Sequence, residues 1–323
     1  VEETGAARAV HALDDRTCVL HRSGAVSCWN RKASQAMAAT PTTLPWLTDA
    51  VELSLGGLQD CARRRTGEVL CWNAPLHPWR VDGLAAVRGL AGSCAVQEDG
   101  AVACWCDAPW RLPDPLVAVE GLAGPVRALA SSRYLVCGLH AGGEVMCWGD
   151  AEVMPHDVAP VARPQAMAAP ASSADGSVLD AGFVAVAGSR RHVCGLTAGG
   201  LVACWRDRIS EPSVWRPGGA GWHALEGGYD HICARSSTEV VCAIGAELSQ
   251  QRLADPTLQV LSLPGPIHQT FVCTAPPGGP LRCEAPGEPP VTTTLVADLT
   301  ALTAGKEMLA ASTRSAGPAR PAG

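Results

Sequence analysis

The chain has 323 residues, with 15 Cys, 10 Trp, 34 Gly and 25 Pro against only 2 Phe and 2 Tyr, and a formal net charge of −6. At roughly 150 residues per domain, that length allows two domains or one repetitive domain, and 47% hydrophobic with 17% charged residues suffices to bury a core. No apolar run approaches the ~18 residues of a membrane span, and 23 Arg with only 2 Lys in an acidic chain leave no basic stripe for nucleic acid.

Residues 1–10 have neither a starter Met nor an apolar signal core, the pattern of a processed N-terminus. A short apolar strand is predicted at 10–13, followed by Cys18, Cys28 and Trp29. The same succession recurs. Strands at 51–55, 86–90, 126–130 and 183–187 precede Cys61/Cys71/Trp72, Cys94/Cys104/Trp105, Cys137/Cys147/Trp148 and Cys194/Cys204/Trp205. Two drifted copies follow, 222–225 with Cys233/Cys242/Ala243 and 260–263 with Cys273/Cys283/Glu284. First cysteines are 43, 33, 43, 57, 39 and 40 residues apart, a period typical of propellers and solenoids. Connectors are rich in Pro, Ala and Asp, and the longest runs over 151–180. Residues 299–305 and 308–312 resemble the opening of an eighth unit, with Ala310 where the first Cys would stand. The expected organisation is one domain over 1–312 and a disordered Pro/Gly/Ala-rich tail over 313–323.

Six Cys pairs are ten residues apart. The two members face each other in an antiparallel hairpin only if the loop is odd, most economically three residues. The third loop position is glycine in all six: Gly24, Gly67, Gly100, Gly143, Gly200 and Gly279. Such a loop ends in the left-handed region, which glycine adopts freely. Cys233 and Cys242 are nine apart and the loop glycine is gone, so an even loop, Ser237-Thr238, again leaves them opposed. Opposed Cβ atoms lie about 4.5–5.5 Å apart, close enough for a disulfide. We therefore expect seven intra-hairpin disulfides: Cys18–Cys28, Cys61–Cys71, Cys94–Cys104, Cys137–Cys147, Cys194–Cys204, Cys233–Cys242 and Cys273–Cys283. The alternative is fourteen buried thiols in a reducing compartment. Zinc is disfavoured, since no C-x-x-C occurs. Disulfides imply an oxidising compartment.

Residues two apart share a face of a strand. One face carries the cysteines and a branched aliphatic (Val26, Val69, Val102, Val145, Val202, Val240, Leu281). The other carries the tryptophan and a mostly small residue (Val19, Ala62, Ala95, Gly138, Gly195, Ala234, Thr274). A sheet apolar on both faces is expected to stack between two neighbours.

The pattern apolar-apolar-x-Gly, x-x-Cys-Ala/Gly-Leu, Gly-x-Val-x-Cys-Trp resembles the regulator of chromosome condensation repeat in a bacterial, cysteine-paired form. It is best seen at Val136-Cys137-Gly138-Leu139 with Gly143 to Asp150, and at Val193-Cys194-Gly195-Leu196 with Gly200 to Trp205. The resemblance covers about 10–310 and implies an all-β, seven-bladed β-propeller, a partial eighth unit being the alternative. Either the C-terminal strand joins the blade holding Cys18, or it begins a further one. Only copy four keeps Trp-Gly, and the shortened connectors put a fourth strand per blade in question.

No catalytic constellation stands out. Histidines are scattered, and His192 and His231, two before a first Cys, read as strand-end residues bonding within their own blade. Glu2-Glu3 and Asp14-Asp15 read as solvated loop charges, and Ser173-Ala174-Asp175-Gly176 lacks the Thr-Trp of a sialidase Asp-box. No metal site or cofactor is expected. The candidate binding residues are Trp46, Trp79, Arg80, Trp110, Arg111, Trp215 and Arg216, because Trp and Arg dominate interface hot spots; the competing reading is that these rings plug seams between blades. Cys106 has no partner by count and is a buried thiol, a link to another chain or a cofactor anchor. The expected function is a non-enzymatic scaffold, extracellular, cell-surface or periplasmic. It would present one propeller face to a protein or glycan, as an enzyme-capping inhibitor or a subunit of a surface assembly. The alternative, a lyase or glycosidase working in the central channel, requires acids or histidines to converge there.

Overall fold

The computed structural model describes residues 7–13, 16–30, 42–55, 59–72, 78–84, 86–105, 116–122, 124–132, 135–148, 165–166, 182–206, 212–228, 230–245, 248–253, 259–264, 270–275, 281–284 and 291–293. These form seven antiparallel sheets, each of four strands consecutive in the chain. Sheet 1 contains Ala7–Leu13, Arg16–His21, Val26–Asn30 and Thr42–Thr43; sheet 2, Ala50–Leu55, Asp60–Arg64, Val69–Trp72 and Pro78–Arg80. Sheet 3 contains Val87–Ala91, Cys94–Gln97, Val102–Cys104 and Val117–Ala118; sheet 4, Val126–Ser131, Val136–His140, Val145–Trp148 and Gln165–Ala166. Sheet 5 contains Phe183–Gly188, His192–Thr197, Val202–Arg206 and Ser213–Trp215; sheet 6, Ala224–Gly227, His231–Arg235, Val240–Ile244 and Ser249–Leu253. Sheet 7 contains Gln259–Pro264, Thr270–Ala275, Leu281–Glu284 and Val291–Thr293. The fourth strand in question is thus present in every sheet, and the sheet holding Cys18 is built from its own four strands. Residues 299–312, read as an eighth opening, and the tail 313–323 lie outside the described residues.

The hairpin register is the one the spacing requires. Cys18 faces Cys28, Cys137 faces Cys147 and Cys273 faces Cys283. Six disulfides join opposed cysteines at Cα–Cα separations of 3.9–4.1 Å, five spanning ten residues and Cys233–Cys242 spanning nine. The side chains of Cys273 and Cys283 lie outside the description. Gly24, Gly67, Gly100, Gly143 and Gly200 all have φ between 77° and 93°. In sheet 6 the shorter loop closes without glycine. The Ser236 Oγ accepts from the amides of Thr238 and Glu239 at 3.2 and 3.1 Å.

First strands pack side by side, each against that of the next sheet from sheet 1 to sheet 6, and the first strand of sheet 1 also touches that of sheet 7. They form the inner edge of the stack. At their far ends the approach is so close that a Cβ on Gly188 would lie 1.9 Å from the Ser131 oxygen, and one on Gly227 1.9 Å from the Gly188 oxygen. Any side chain there would push the inner strands apart.

The core lies between sheets. Cys61, Val69 and Cys71 of sheet 2 pack with Ala95 and Trp105 of sheet 3; Cys137, Val145 and Cys147 of sheet 4 pack with Ala203 and Trp205 of sheet 5. Each seam from sheet 1 to sheet 5 therefore sets the disulfide face of one sheet against the tryptophan face of the next, and the twelve paired cysteines are at most 6% exposed. The large-over-small arrangement is direct at Gly138, whose added Cβ would meet Trp148 Cη2 at 3.3 Å. Sheet 6 has Ala243 in the tryptophan position, and Trp215 and Trp222 occupy that seam instead.

Candidate functional site

Outer strands end beside the hairpin loops. Trp215 pairs with Val202, the first residue of the third strand, and Val81 donates its amide to Val69 O at 3.0 Å. Trp46 follows the outer strand of sheet 1, where the Leu44 amide bonds Val26 O at 2.8 Å. One end of the stack, the hairpin end, thus collects Trp46, Trp79, Arg80, Trp215 and Arg216. The indoles are turned inward. Trp79 opposes Cys71 and so shares the disulfide face, packing into the seam with sheet 3. Trp215 is 6% exposed in the seam with sheet 6. Trp46 is half-buried against Trp72, ring centroids 5.3 Å apart at 67°. The seam reading describes these three rings, while Arg80 and Arg216 are exposed. Trp110, Arg111 and Cys106 lie outside the described residues, as do Glu2-Glu3, Asp14-Asp15 and Ser173-Ala174-Asp175-Gly176.

Arg80 belongs to a charge ladder crossing the hairpin end of sheet 2. Its Nε donates to Asp82 Oδ1 at 2.7 Å and its Nη1 reaches Glu68 Oε1 at 3.4 Å. Arg64 joins Glu68 at 2.9 Å to Asp49 at 2.8 Å. Exposed pairs of this kind contribute little stability each, but they hold Arg80 in place.

A second group at the same end escaped the sequence reading. The inner strands of sheets 1 to 5 each carry a bulge at their start, where one residue has no cross-strand partner: Arg8, Val51, Arg88, Arg127 and Val184. Glu226 faces Cys233 as Ala187 faces Cys194, so His223 holds the corresponding position in sheet 6. A bulge re-aims the side chain it carries. All but Val51 are exposed. Arg127 Nη2 donates to Phe183 O and Val184 O at 2.9 and 3.1 Å, and Arg88 likewise donates to Val126 O. Arg88 and Arg127 are thus anchored on the inner strand of the next sheet. The signal in the sequence is a charge one residue into an apolar strand, at Ala7-Arg8-Ala9, Val87-Arg88-Gly89 and Val126-Arg127-Ala128.

The acids of the described inner strands, Glu52 and Glu226, are already engaged. Arg63 Nε donates to Glu52 at 2.8 Å, and Arg235 holds Glu226 through two bonds of 2.9 and 2.7 Å. Among the described residues no group of three or more His, Cys, Asp or Glu could hold a metal ion, and no helix is long and apolar enough to cross a membrane.

The buried histidines work within their own sheets. His21 Nε2 meets Ser27 Oγ at 2.9 Å, and Ser27 meets Thr43 Oγ1 at 2.9 Å, a polar chain from the second strand to the outer one. His192 and Ser189 close a tight turn, the His192 amide donating to Ser189 Oγ at 3.2 Å. Burial lowers the His231 pKa to about 4, with nearby Glu226 opposing in part. His11, opposite Cys18, keeps some solvent contact but is so densely surrounded by protein that burial lowers it to about 4 as well.

Radially packed four-stranded sheets with first strands innermost define a β-propeller-type protein. No protein-family model matches the chain. No curated protein matches its sequence. Similar solved structures include human WBSCR16 (TM-score 0.51, 18% identity, 71% of each chain covered). Prp20p from Saccharomyces cerevisiae, studied for its binding to Gsp1p and histones, aligns at TM-score 0.53 and 14% identity over 78% of each chain. Kap60-bound yeast RCC1 aligns at TM-score 0.51 and 15% identity over 78% of this chain and 76% of the other. At these identities the likeness is one of fold, and the fold is the RCC1-like β-propeller.

Proposed function

We propose that this chain is an exported, seven-bladed propeller that binds a protein partner through its hairpin end and catalyses no reaction. The observation that carries this reading is the gathering of outer-strand ends, hairpin loops and bulge residues at one end, with exposed Arg80 and Arg216 each next in the chain to a tryptophan packed in a seam. Rigid seams under exposed arginines are the composition of an interface hot spot. Six buried disulfides support an oxidising and hence extracellular or periplasmic location. Contact between the inner strands of sheets 1 and 7 supports a ring of seven. The protein-binding roles of Prp20p and of RCC1 with Kap60 are consistent with a propeller acting as a binding scaffold.

The test is capture from the secreted and surface proteins of the producing organism on three immobilised proteins. These are the unaltered chain, the Arg80→Glu/Arg216→Glu variant and Arg206→Glu at the opposite end. A partner retained by the first and third but lost from the second is the expected result. Equal capture by all three overturns the assignment of the face.

A further inference from the structure

Arg8, Val51, Arg88, Arg127 and Val184 occupy one bulge position on five neighbouring inner strands at the hairpin end, and His223 directly precedes the inner strand of the sixth sheet. We infer that this inner rim is a docking site for a carboxylate-bearing loop of a protein partner. The inference rests on the proposal that the hairpin end is the binding face, and names what its centre recognises.

Three arginines stand at the rim of a chain whose net charge is −6. The acids of the described inner strands, Glu52 and Glu226, are bonded to Arg63 and Arg235 of their own second strands, and Asp49 at the same end is bonded to Arg64, so none of these three neutralises a rim arginine; Glu98 and Asp99 stand exposed in the hairpin loop of sheet 3. Arg88 and Arg127 are anchored on backbone carbonyls of the next sheet. A guanidinium has five N–H donors, so an anchored one still offers a pair to a carboxylate, with less side-chain freedom to lose on binding. Neighbouring sheets converge at this edge, and like charges there focus their field on an incoming anion. Val51 stands between Arg8 and Arg88, and Val184, 38% exposed, stands between Arg127 and His223. Arginines interspersed with aliphatic side chains, without an aromatic platform, suit an acidic peptide loop with apolar neighbours better than a sugar chain.

The probe is a fluorescently labelled hexaglutamate peptide, followed by anisotropy at low salt, with a sulfated oligosaccharide of equal charge as competitor. The expected result is peptide binding that salt weakens, that falls about tenfold in Arg8→Ser/Arg127→Ser, and that Arg206→Ser leaves unchanged. Arg127 also bonds the next sheet, so Arg8→Glu alone, which removes no described bond, is the second variant and must weaken binding as well. Thermal unfolding of each variant checks that it folds. Absent peptide binding, binding indifferent to both rim variants, or tighter binding of the oligosaccharide overturns the inference. Should a captured partner depend on Arg80 and Arg216 but not on Arg8, the face stands and the rim site falls. Should the peptide depend on Arg8 while no partner is captured, the rim site stands and the proposed function falls.

Discussion

The Val126 amide donates to the Gly100 carbonyl at 3.0 Å, so the hairpin of sheet 3 is bonded to the first residue of the inner strand of sheet 4. Phe183 bonds Gly143 at 2.8 Å and Ala50 bonds Gly24 at 2.9 Å in the same way. The loop glycine therefore meets two demands, a positive φ and a backbone pressed against the next sheet. A Cβ on Gly100 would lie 2.5 Å from Pro125 Cβ. Gly100→Ala should destabilise by about 2–4 kcal/mol, the left-handed penalty plus displacement of the seam. Gly121 has φ +80° but nothing within 4 Å of its added Cβ, so Gly121→Ala should cost only about 1–2 kcal/mol. Urea unfolding of both measures the difference. Equal losses would mean that the seam contact contributes nothing.

Trp222→Ala should be as damaging as removal of a hairpin tryptophan. Trp222 is 6% exposed in the seam where Ala243 replaces the ring, and its Nε1 donates to Gly218 O at 2.8 Å. Emptying a site of that size costs about 3–5 kcal/mol. Trp148→Ala, which uncovers Gly138, is the reference. A Trp222→Ala loss below about 1 kcal/mol, the range of a surface change, would show that Trp222 does not replace the missing indole.

The hairpins, their opposed cysteines and the two apolar faces were legible because spacing, loop parity and alternation all depend on a few covalent lengths. The outer strands were not. Thr42–Thr43 and Gln165–Ala166 are two residues long, too short to show alternation. Trp79 and Trp215 therefore read as connector residues, although strand pairing sends both rings into seams. Arg8, Arg88 and Arg127 escaped for the opposite reason. A bulge inserts a residue that breaks period two, and the charge it carries reads as noise in an apolar strand. The second demand on the loop glycines was also hidden, since no local pattern shows which segment of a neighbouring sheet lies against a turn.

Stability should fall on acidification between pH 6.5 and about 4. His231 and His11 are held neutral in the fold, each with a pKa lowered to about 4 by burial. In the unfolded chain they take up a proton near pH 6.5. Between those values the unfolded state binds more protons, so unfolding becomes easier as pH drops, and the effect levels off below about 4. The loss is on the order of a few kcal/mol. His231→Gln should lessen the slope of urea midpoint against pH over that window, His11 supplying what remains. A slope unchanged by the substitution would mean that His231 does not titrate there.

Cysteine chemistry separates the fourteen repeat positions from the fifteenth cysteine. Cys273 opposes Cys283 with the register that carries a disulfide in each of the other six sheets. A seventh bridge is therefore expected, closing a loop of the same length as in sheets 1 to 5. By chain entropy a loop of that size contributes roughly 2.5–3 kcal/mol. Cys106 is then the one thiol left over. Alkylation of the denatured, unreduced protein followed by peptide mapping should label one cysteine per chain, Cys106, and recover Cys273 linked to Cys283. Labelling at Cys273 and Cys283 would remove the seventh staple, whereas an unlabelled Cys106 in a chain that doubles in mass without reductant would make it a covalent link to another copy. Serine at both Cys273 and Cys283 should lower the urea midpoint of the intact chain, and Cys106→Ser should not.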